Sequence, residues 1–218
     1  MYSTYKARAS FGYKVADYCN VVKRSILLAC LIFWAVGLFA SPVYIGLVSF
    51  DGTFVNGIPT YPYSLVAAGS PPFWAMCDDY YHDGTPGDQW LANLTNLGTG
   101  NPTNLRFASF GLVAYEEVGW IFLQTFNTPT SQWPDMNFAV WHIFNPTVVI
   151  TPTAQRWINL AMANYQYGDY THVYIATPLQ INASPTGDQE FIFYWKYNGP
   201  PGGPAVPEPT SLIWARVF

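Results

Sequence analysis

Short apolar runs separated by turn residues occupy the chain between residues 43 and 77. The runs cover 43–50, 64–68 and 73–77, and Asp51-Gly52 and Asn56-Gly57 stand between the first two. Runs of this length, bounded by glycine, proline and asparagine, predict β-strands. The stretch 91–104 is rich in Asn, Thr and Gly without a sustained period, so we predict an exposed loop or a lightly structured arm there.

Three segments in the second half of the chain have the apolar spacing of helices. They cover 114–126, about 134–144, and a stretch that follows Thr151-Pro152. Glu116 and Glu117 are predicted in the first turn of the first helix, where the helix dipole favours negative charge. Pro134 at an early position begins the second helix, and Pro146 follows its end.

Two further strands, 172–176 and 190–195, are predicted to close the domain. The resulting fold class is α+β, an antiparallel β sandwich or barrel with about three inserted helices. No internal repeat interrupts this pattern, so residues 41–196 are expected to form one compact domain.

The first forty residues differ from the rest in charge and hydropathy. Five of the nine basic residues precede an apolar run that begins at Ser25, and Ala40-Ser41-Pro42 follows it. This pattern predicts an export signal over 1–40 and a secreted or cell-surface protein. A retained transmembrane anchor is the alternative, and it is the one expected route to membrane attachment.

Removal of the signal makes the chain strongly acidic. Four basic residues and twelve of the 13 acidic ones then remain, so the formal charge becomes 4 − 12 = −8. Such a surface repels nucleic acid, which is excluded as a partner. Cys77 is the one cysteine left of three, so no internal disulfide is expected.

A proline-rich segment near the C-terminus carries the first resemblance to a known family. The residues 197–206 read as a Pro/Gly linker, and Pro207-Glu208-Pro209 follows. This string resembles the start of the PEP-CTERM sorting signal of exported bacterial proteins. The resemblance implies an exosortase as partner and an exopolysaccharide setting. The chain ends at Phe218 with no room for the spanning helix of that family, so we expect a truncated signal over 207–218.

Two blocks of the domain resemble the paired signatures of bacterial surface thioester domains. The blocks are Phe73-Trp-Ala-Met-Cys-Asp-Asp79 and Asp135-Met-Asn-Phe-Ala-Val-Trp-His-Ile-Phe144. In that family a Cys ending a strand meets a Gln opening a helix, in a motif like Gln-x-Ala-Ile-Trp. The thiolate attacks the carboxamide carbon with loss of ammonia, and the resulting thioester acylates an amine on a target surface.

The resemblance places Cys77 at the nucleophile position and Asn137 at the position of the glutamine. Asp78, Ala139 and Trp141 match the supporting positions. Because Asn is one methylene shorter than Gln, we expect its carbonyl carbon to fall short of the sulfur and the thioester chemistry to be lost. The alternative interpretation makes Cys77 a small buried hydrophobe and Asn137 a polar residue bonded to nearby backbone.

Other catalytic and metal chemistry has little support in the sequence. Four aspartates, at 78, 79, 83 and 88, crowd one loop, but their spacing fits no EF-hand, and a solvated acidic loop is the favoured interpretation. Adjacent Glu116 and Glu117 face different directions on a helix, so they cannot act as a glycosidase pair. The three histidines lack metal spacing. No metal, no cofactor and no enzymatic activity are expected.

Aromatic residues raise a second hypothesis, because exposed rings can stack on sugars. Trp74, Trp90, Trp133 and Trp195 lie outside the predicted core stripes and are the candidate stacking residues. The sequence thus predicts a noncatalytic adhesion protein of the cell surface or extracellular matrix, whose partner is a surface polysaccharide or protein. A polysaccharide-binding matrix protein and a structural extracellular subunit are the alternatives.

Overall fold

A closed six-stranded barrel forms the centre of the domain. The computed structural model describes residues 42–67, 69–179 and 188–196. The strands are β1 (Val43–Phe50), β2 (Phe54–Val55), β3 (Ile58–Pro59), β4 (Tyr63–Ala67), β5 (Phe73–Cys77), β6 (Gln89–Asn96), β7 (Val173–Pro178) and β8 (Phe191–Tyr194). The barrel order is β1-β4-β5-β8-β7-β6, with every neighbouring pair antiparallel, and β2 and β3 form a separate hairpin. The predicted α+β fold class is confirmed, as a barrel.

Alternate side chains of the barrel strands fill its interior, as the two-residue period of a strand requires. Cys77 pairs with Phe191 across β5 and β8, and Ala75 pairs with Phe193 two residues earlier. These four side chains are buried in one apolar cluster with inward-facing residues of β1, β4 and β6. The end of β5 therefore places Cys77 inside the barrel.

Three α-helices in the described residues form a second layer. They are α1 (Gly111–Gln124), α2 (Trp133–Phe144) and α3 (Pro152–Asn164). Outward-facing Met76, Ile175 and Ile192 pack in one cluster with the buried faces of these helices. Trp141 on α2 belongs instead to the cluster of the barrel interior. The α2 helix thus connects the two cores.

Local sequence signals explain where the elements begin and turn. The side chain of Thr151 accepts a hydrogen bond from the backbone N–H of Ala154 at 3.0 Å, and Pro152 follows it as the first residue of α3. Asn56 and Gly57, with φ of 53° and 81°, form the turn of the β2–β3 hairpin. None of the described helices is long and apolar enough to span a membrane.

Two expectations about secondary structure are wrong. The loop expected over 91–104 instead contains β6 and a 3-10 turn at Leu97–Thr99. The strand was missed because Asn93 and Asn96, followed by Gly98 and Gly100, are residue types typical of loops, and they hid the alternation of the inward Trp90, Ala92 and Leu94. Helix α1 begins at Gly111, so Glu116 and Glu117 lie beyond its first turn. It starts earlier because Leu112 already packs against the apolar cluster that holds its buried face.

Candidate functional site

The Cys77 thiol lies at the C-terminal end of β5 and is fully buried. Its Sγ donates a hydrogen bond to the carbonyl oxygen of Asp79 at 3.2 Å. Burial raises the pKa of the Cys77 thiol well above its usual value, and the neighbouring Asp78 carboxyl adds to the rise. A reactive cysteine needs the opposite environment, one that favours thiolate.

Asn137 meets the end of β5 from helix α2. Its Nδ2 donates a hydrogen bond to the carbonyl oxygen of Cys77 at 2.8 Å. Its Oδ1 accepts one from the backbone N–H of Tyr61 at 2.7 Å. The side chain is fully buried, so both ends of the carboxamide are used by backbone groups that water cannot reach. Asn137 therefore fixes the helix both to the end of β5 and to the segment that leads into β4.

The supporting residues of the motif divide between the two cores. Ala139 packs in the helical cluster, and Trp141 packs in the barrel cluster. The Trp141 ring contacts the rings of Phe138 and Tyr80, with centroids 5.0 and 5.3 Å away. Trp141 and Cys77 belong to the same buried cluster, so the ring packs in the barrel interior that holds the thiol.

Asp78 and Asp79 are not part of a solvated loop, which corrects the expectation for these two residues. Both are fully buried. Asp79 forms an ion pair with Arg106 and a hydrogen bond with His82, whose Nδ1 lies 2.9 Å from the carboxylate. Burial lowers the pKa of His82, which favours its neutral form. The Asp78 carboxyl has no hydrogen-bond donor among the described residues.

A buried polar cluster surrounds these aspartates, and sequence reasoning missed most of it. Glu190, just before β8, accepts hydrogen bonds at Oε1 from the Tyr115 hydroxyl at 2.7 Å and at Oε2 from the backbone N–H of Arg106 at 2.9 Å. The hydroxyl of Thr177 also donates to Oε2. One signal was available, because Arg106 is one of three basic residues between 41 and 196. The described residues contain no His, Cys, Asp and Glu group arranged to hold a metal ion.

The four candidate stacking tryptophans occupy different environments. Trp74 is 45% exposed, with its ring 6.0 Å from that of the half-buried Trp133. Trp195 is half-buried and packs edge-on against Phe73. Trp90 is wrong as a stacking residue, because it is buried on β6 with its ring stacked on Phe191.

Other aromatic side chains are exposed where the sequence did not single them out. They are Tyr44, Phe54, Tyr80, Tyr81, Phe110 and Tyr167. The predicted signal over 1–40, the linker and the sorting motif Pro207-Glu208-Pro209 lie outside the described residues.

Comparisons with known proteins add a distant structural neighbour. No protein-family model matches the sequence, and no curated protein matches it. The N-terminal domain of the Streptococcus pyogenes pilus tip adhesin Cpa is similar in structure, with a TM-score of 0.41 and 9% sequence identity. The alignment covers 71% of this chain and 93% of that domain. The function must therefore be identified from the chain's own residues.

Proposed function

We propose that this protein is an exported bacterial adhesion protein that binds its target without a covalent bond. The observation that carries the noncovalent part is the Asn137 carboxamide, whose nitrogen and oxygen are both used in buried hydrogen bonds at 2.8 and 2.7 Å. Thioester formation would expel that nitrogen as ammonia and remove the bond to Cys77. Here the amide is a structural clamp between α2 and the barrel.

The environment of the thiol supports the same proposal. Cys77 is fully buried and donates to Asp79, and its pKa is raised by burial. An uncharged thiol is a weak nucleophile toward an amide, and it has no route to an amine on another surface. The role in adhesion comes from the two blocks around Cys77 and Asn137, which resemble the signatures of surface thioester domains.

Bead adhesion tests both parts of the proposal. Beads carrying the full-length protein are applied to extracellular matrix extracted from cultures of the producing bacterium. We expect retention in buffer above albumin-coated beads, release by SDS, and the same retention for Cys77→Ala. Retention that survives SDS and disappears in Cys77→Ala would contradict the noncovalent part. Retention equal to that of albumin beads would contradict the adhesion role and favour a structural subunit.

Intact mass gives an independent measurement of the thiol chemistry. The expected mass of the folded protein shows no loss of ammonia, and methylamine treatment leaves it unchanged. After denaturation, Cys77 is expected to react fully with iodoacetamide. A mass lower by one ammonia, with methylamine incorporated, would overturn the proposal.

Carbohydrate binding is a second candidate, supported by the exposed ring of Trp74 beside Trp133. An exposed aromatic face can stack on a sugar ring. Matrix polysaccharide freed of protein by protease digestion is the probe. Trp74→Ala is expected to weaken its binding by about tenfold or more, and Tyr167→Ala, an exposed aromatic elsewhere, to leave it unchanged. Equal binding by both variants would remove this candidate.

A further inference from the structure

Two buried carboxyl groups from different strand ends lie against each other beneath the loop that follows β5. Asp78 and Glu190 are both fully buried. The backbone N–H of Asp78 donates to the carbonyl oxygen of Glu190 at 3.3 Å, and the two carboxyl side chains are in contact. Two carboxylates cannot hydrogen-bond to each other, because neither has a hydrogen to donate.

The hydrogen bonds of the two groups are unequal. Glu190 accepts bonds from Tyr115, Thr177 and the backbone of Arg106. Neither oxygen of Asp78 accepts a hydrogen bond from any residue that the structure describes. A buried acceptor without a donor is costly, and a proton on Asp78 would supply the missing donor toward Glu190. The geometry therefore puts the proton on Asp78 and leaves Glu190 ionised.

The charge balance of the cluster points the same way. The titratable or charged groups that face Asp78 come from five segments: Cys77 from β5, Asp79 after it, Arg106 from the segment before α1, Tyr115 from α1 and Glu190 before β8. Among these groups, the buried carboxyls of Asp78, Asp79 and Glu190 have the Arg106 guanidinium as their positive charge, and it is already paired with Asp79. Burial raises the pKa of Asp78, and the Glu190 charge raises it further.

We propose that Asp78 and Glu190 share one proton inside the fold, and that loss of this proton releases segment 78–82 and exposes the Cys77 thiol. A carboxylate at Asp78 would have no hydrogen-bond donor among the described residues and no solvent. Glu190 accepts hydrogen bonds from three donors, so Asp78 is the carboxylate that leaves. Segment 78–82 then moves when the repulsion exceeds the stabilisation by the Asp79–Arg106 ion pair in the same segment. That segment holds Asp79, the acceptor of the thiol, and Tyr80, which packs on Trp141.

Iodoacetamide labelling of the full-length protein measures this release, with the labelled peptide containing Cys77 quantified by mass spectrometry. At each pH, the labelling rate of the urea-unfolded protein is divided by that of the native protein. The ordinary ionisation of the thiol cancels in this ratio. The resulting protection of Cys77 is expected to fall by about tenfold per pH unit as the proton is lost. Protection that stays constant from pH 6 to 9 would overturn the proposal.

Asp78→Asn tests the assignment to this residue, since the amide supplies a donor and cannot ionise. At pH 9 we expect its Cys77 to react at least about tenfold more slowly than wild type. A direct electrostatic effect predicts the opposite, because removing a nearby negative charge favours thiolate. Labelling as fast as wild type would overturn the proposal. Asp83→Asn, the same change at an exposed acid of the same loop, is expected to label like wild type. If Asp78→Asn fails to fold, the wild-type protection profile remains the deciding measurement.

Discussion

The two sides of the Cys77–Asp78 peptide bond face environments of opposite kinds. On the Cys77 side, the neutral Asn137 carboxamide satisfies two backbone groups and has its own polar atoms satisfied in return. On the Asp78 side, within the described part of the chain, three carboxyl groups lie near one guanidinium, and the Asp78 carboxyl has no hydrogen-bond donor. The comparison teaches that burial of polar groups stabilises a fold only where donors and acceptors are balanced.

The largest effect is expected from breaking the ion pair between Asp79 and Arg106. Asp79→Asn leaves the buried Arg106 guanidinium without its ion-pair partner, and we expect a loss of about 4 kcal/mol in the free energy of unfolding. Urea denaturation at pH 7 measures it. Asp83→Asn, an exposed change in the same loop, serves as control and should cost less than about 0.5 kcal/mol. Equal effects would mean that the Asp79 pair contributes nothing.

The next largest loss of stability is expected at Asn137, on the Cys77 side of the peptide bond. Asn137→Ala removes the acceptor of the Tyr61 N–H and the donor to the Cys77 carbonyl, two hydrogen bonds of buried groups, and we expect a loss of about 3 kcal/mol in the free energy of unfolding. Asn127→Ala, at an exposed position, is the matched control. Thermal and urea unfolding give the values. A loss near that of the control would show that the clamp is not needed for stability, and would reopen a chemical role for the carboxamide.

The effect of Asp78→Asn on the free energy of unfolding is expected to depend on pH. The variant becomes more stable relative to the wild type as pH rises. An acid whose pKa is raised in the folded state binds its proton more tightly there than when unfolded. The wild type therefore loses stability as pH rises from about 4 toward the folded pKa, by about 1.4 kcal/mol per pH unit. The variant lacks this slope, and subtraction of the two curves cancels His82, whose lowered pKa acts in the opposite direction. Parallel curves from pH 5 to 8 would contradict an acid at Asp78.

The smallest effect is expected at the thiol itself. Cys77→Ala removes one sulfur atom and one weak hydrogen bond to Asp79, so we expect a loss of about 1 kcal/mol. Urea unfolding alongside Asn137→Ala compares the two partners of the motif. A loss as large as that of Asn137→Ala would mean that the thiol does more than fill space in the barrel.

Elements with a clear local pattern were predictable from the sequence. The bounds of β1 and β5 agree with the apolar runs 43–50 and 73–77, since turn residues limit both. The β6 strand was missed because polar residues on the outer side of a barrel wall resemble a loop. The motif blocks led to Cys77 and Asn137, and the structure places their hydrogen bond across 60 residues of sequence.

The buried polar cluster around Asp78 had no such local pattern in the sequence. Glu190 stands 84 residues after Arg106, and 75 after Tyr115, so only the closed barrel and the packed helices bring the three together. A buried carboxyl in a sequence looks like any exposed one, because burial is a property of tertiary structure. The Pro/Gly and acidic composition around residues 78–88 therefore indicated a solvated loop. That interpretation holds for the exposed Asp83 and Asp88 and is wrong for the buried Asp78 and Asp79.

Closure of the barrel has a consequence for a protein that would act at high local density. Each of its six strands is hydrogen-bonded on both sides, with β6 completing the ring between β1 and β7. Free strand edges are templates on which neighbouring molecules add strands and aggregate. Neighbouring molecules can thus touch the barrel through its side chains, and among the described strands only the short β2–β3 hairpin offers them a free edge.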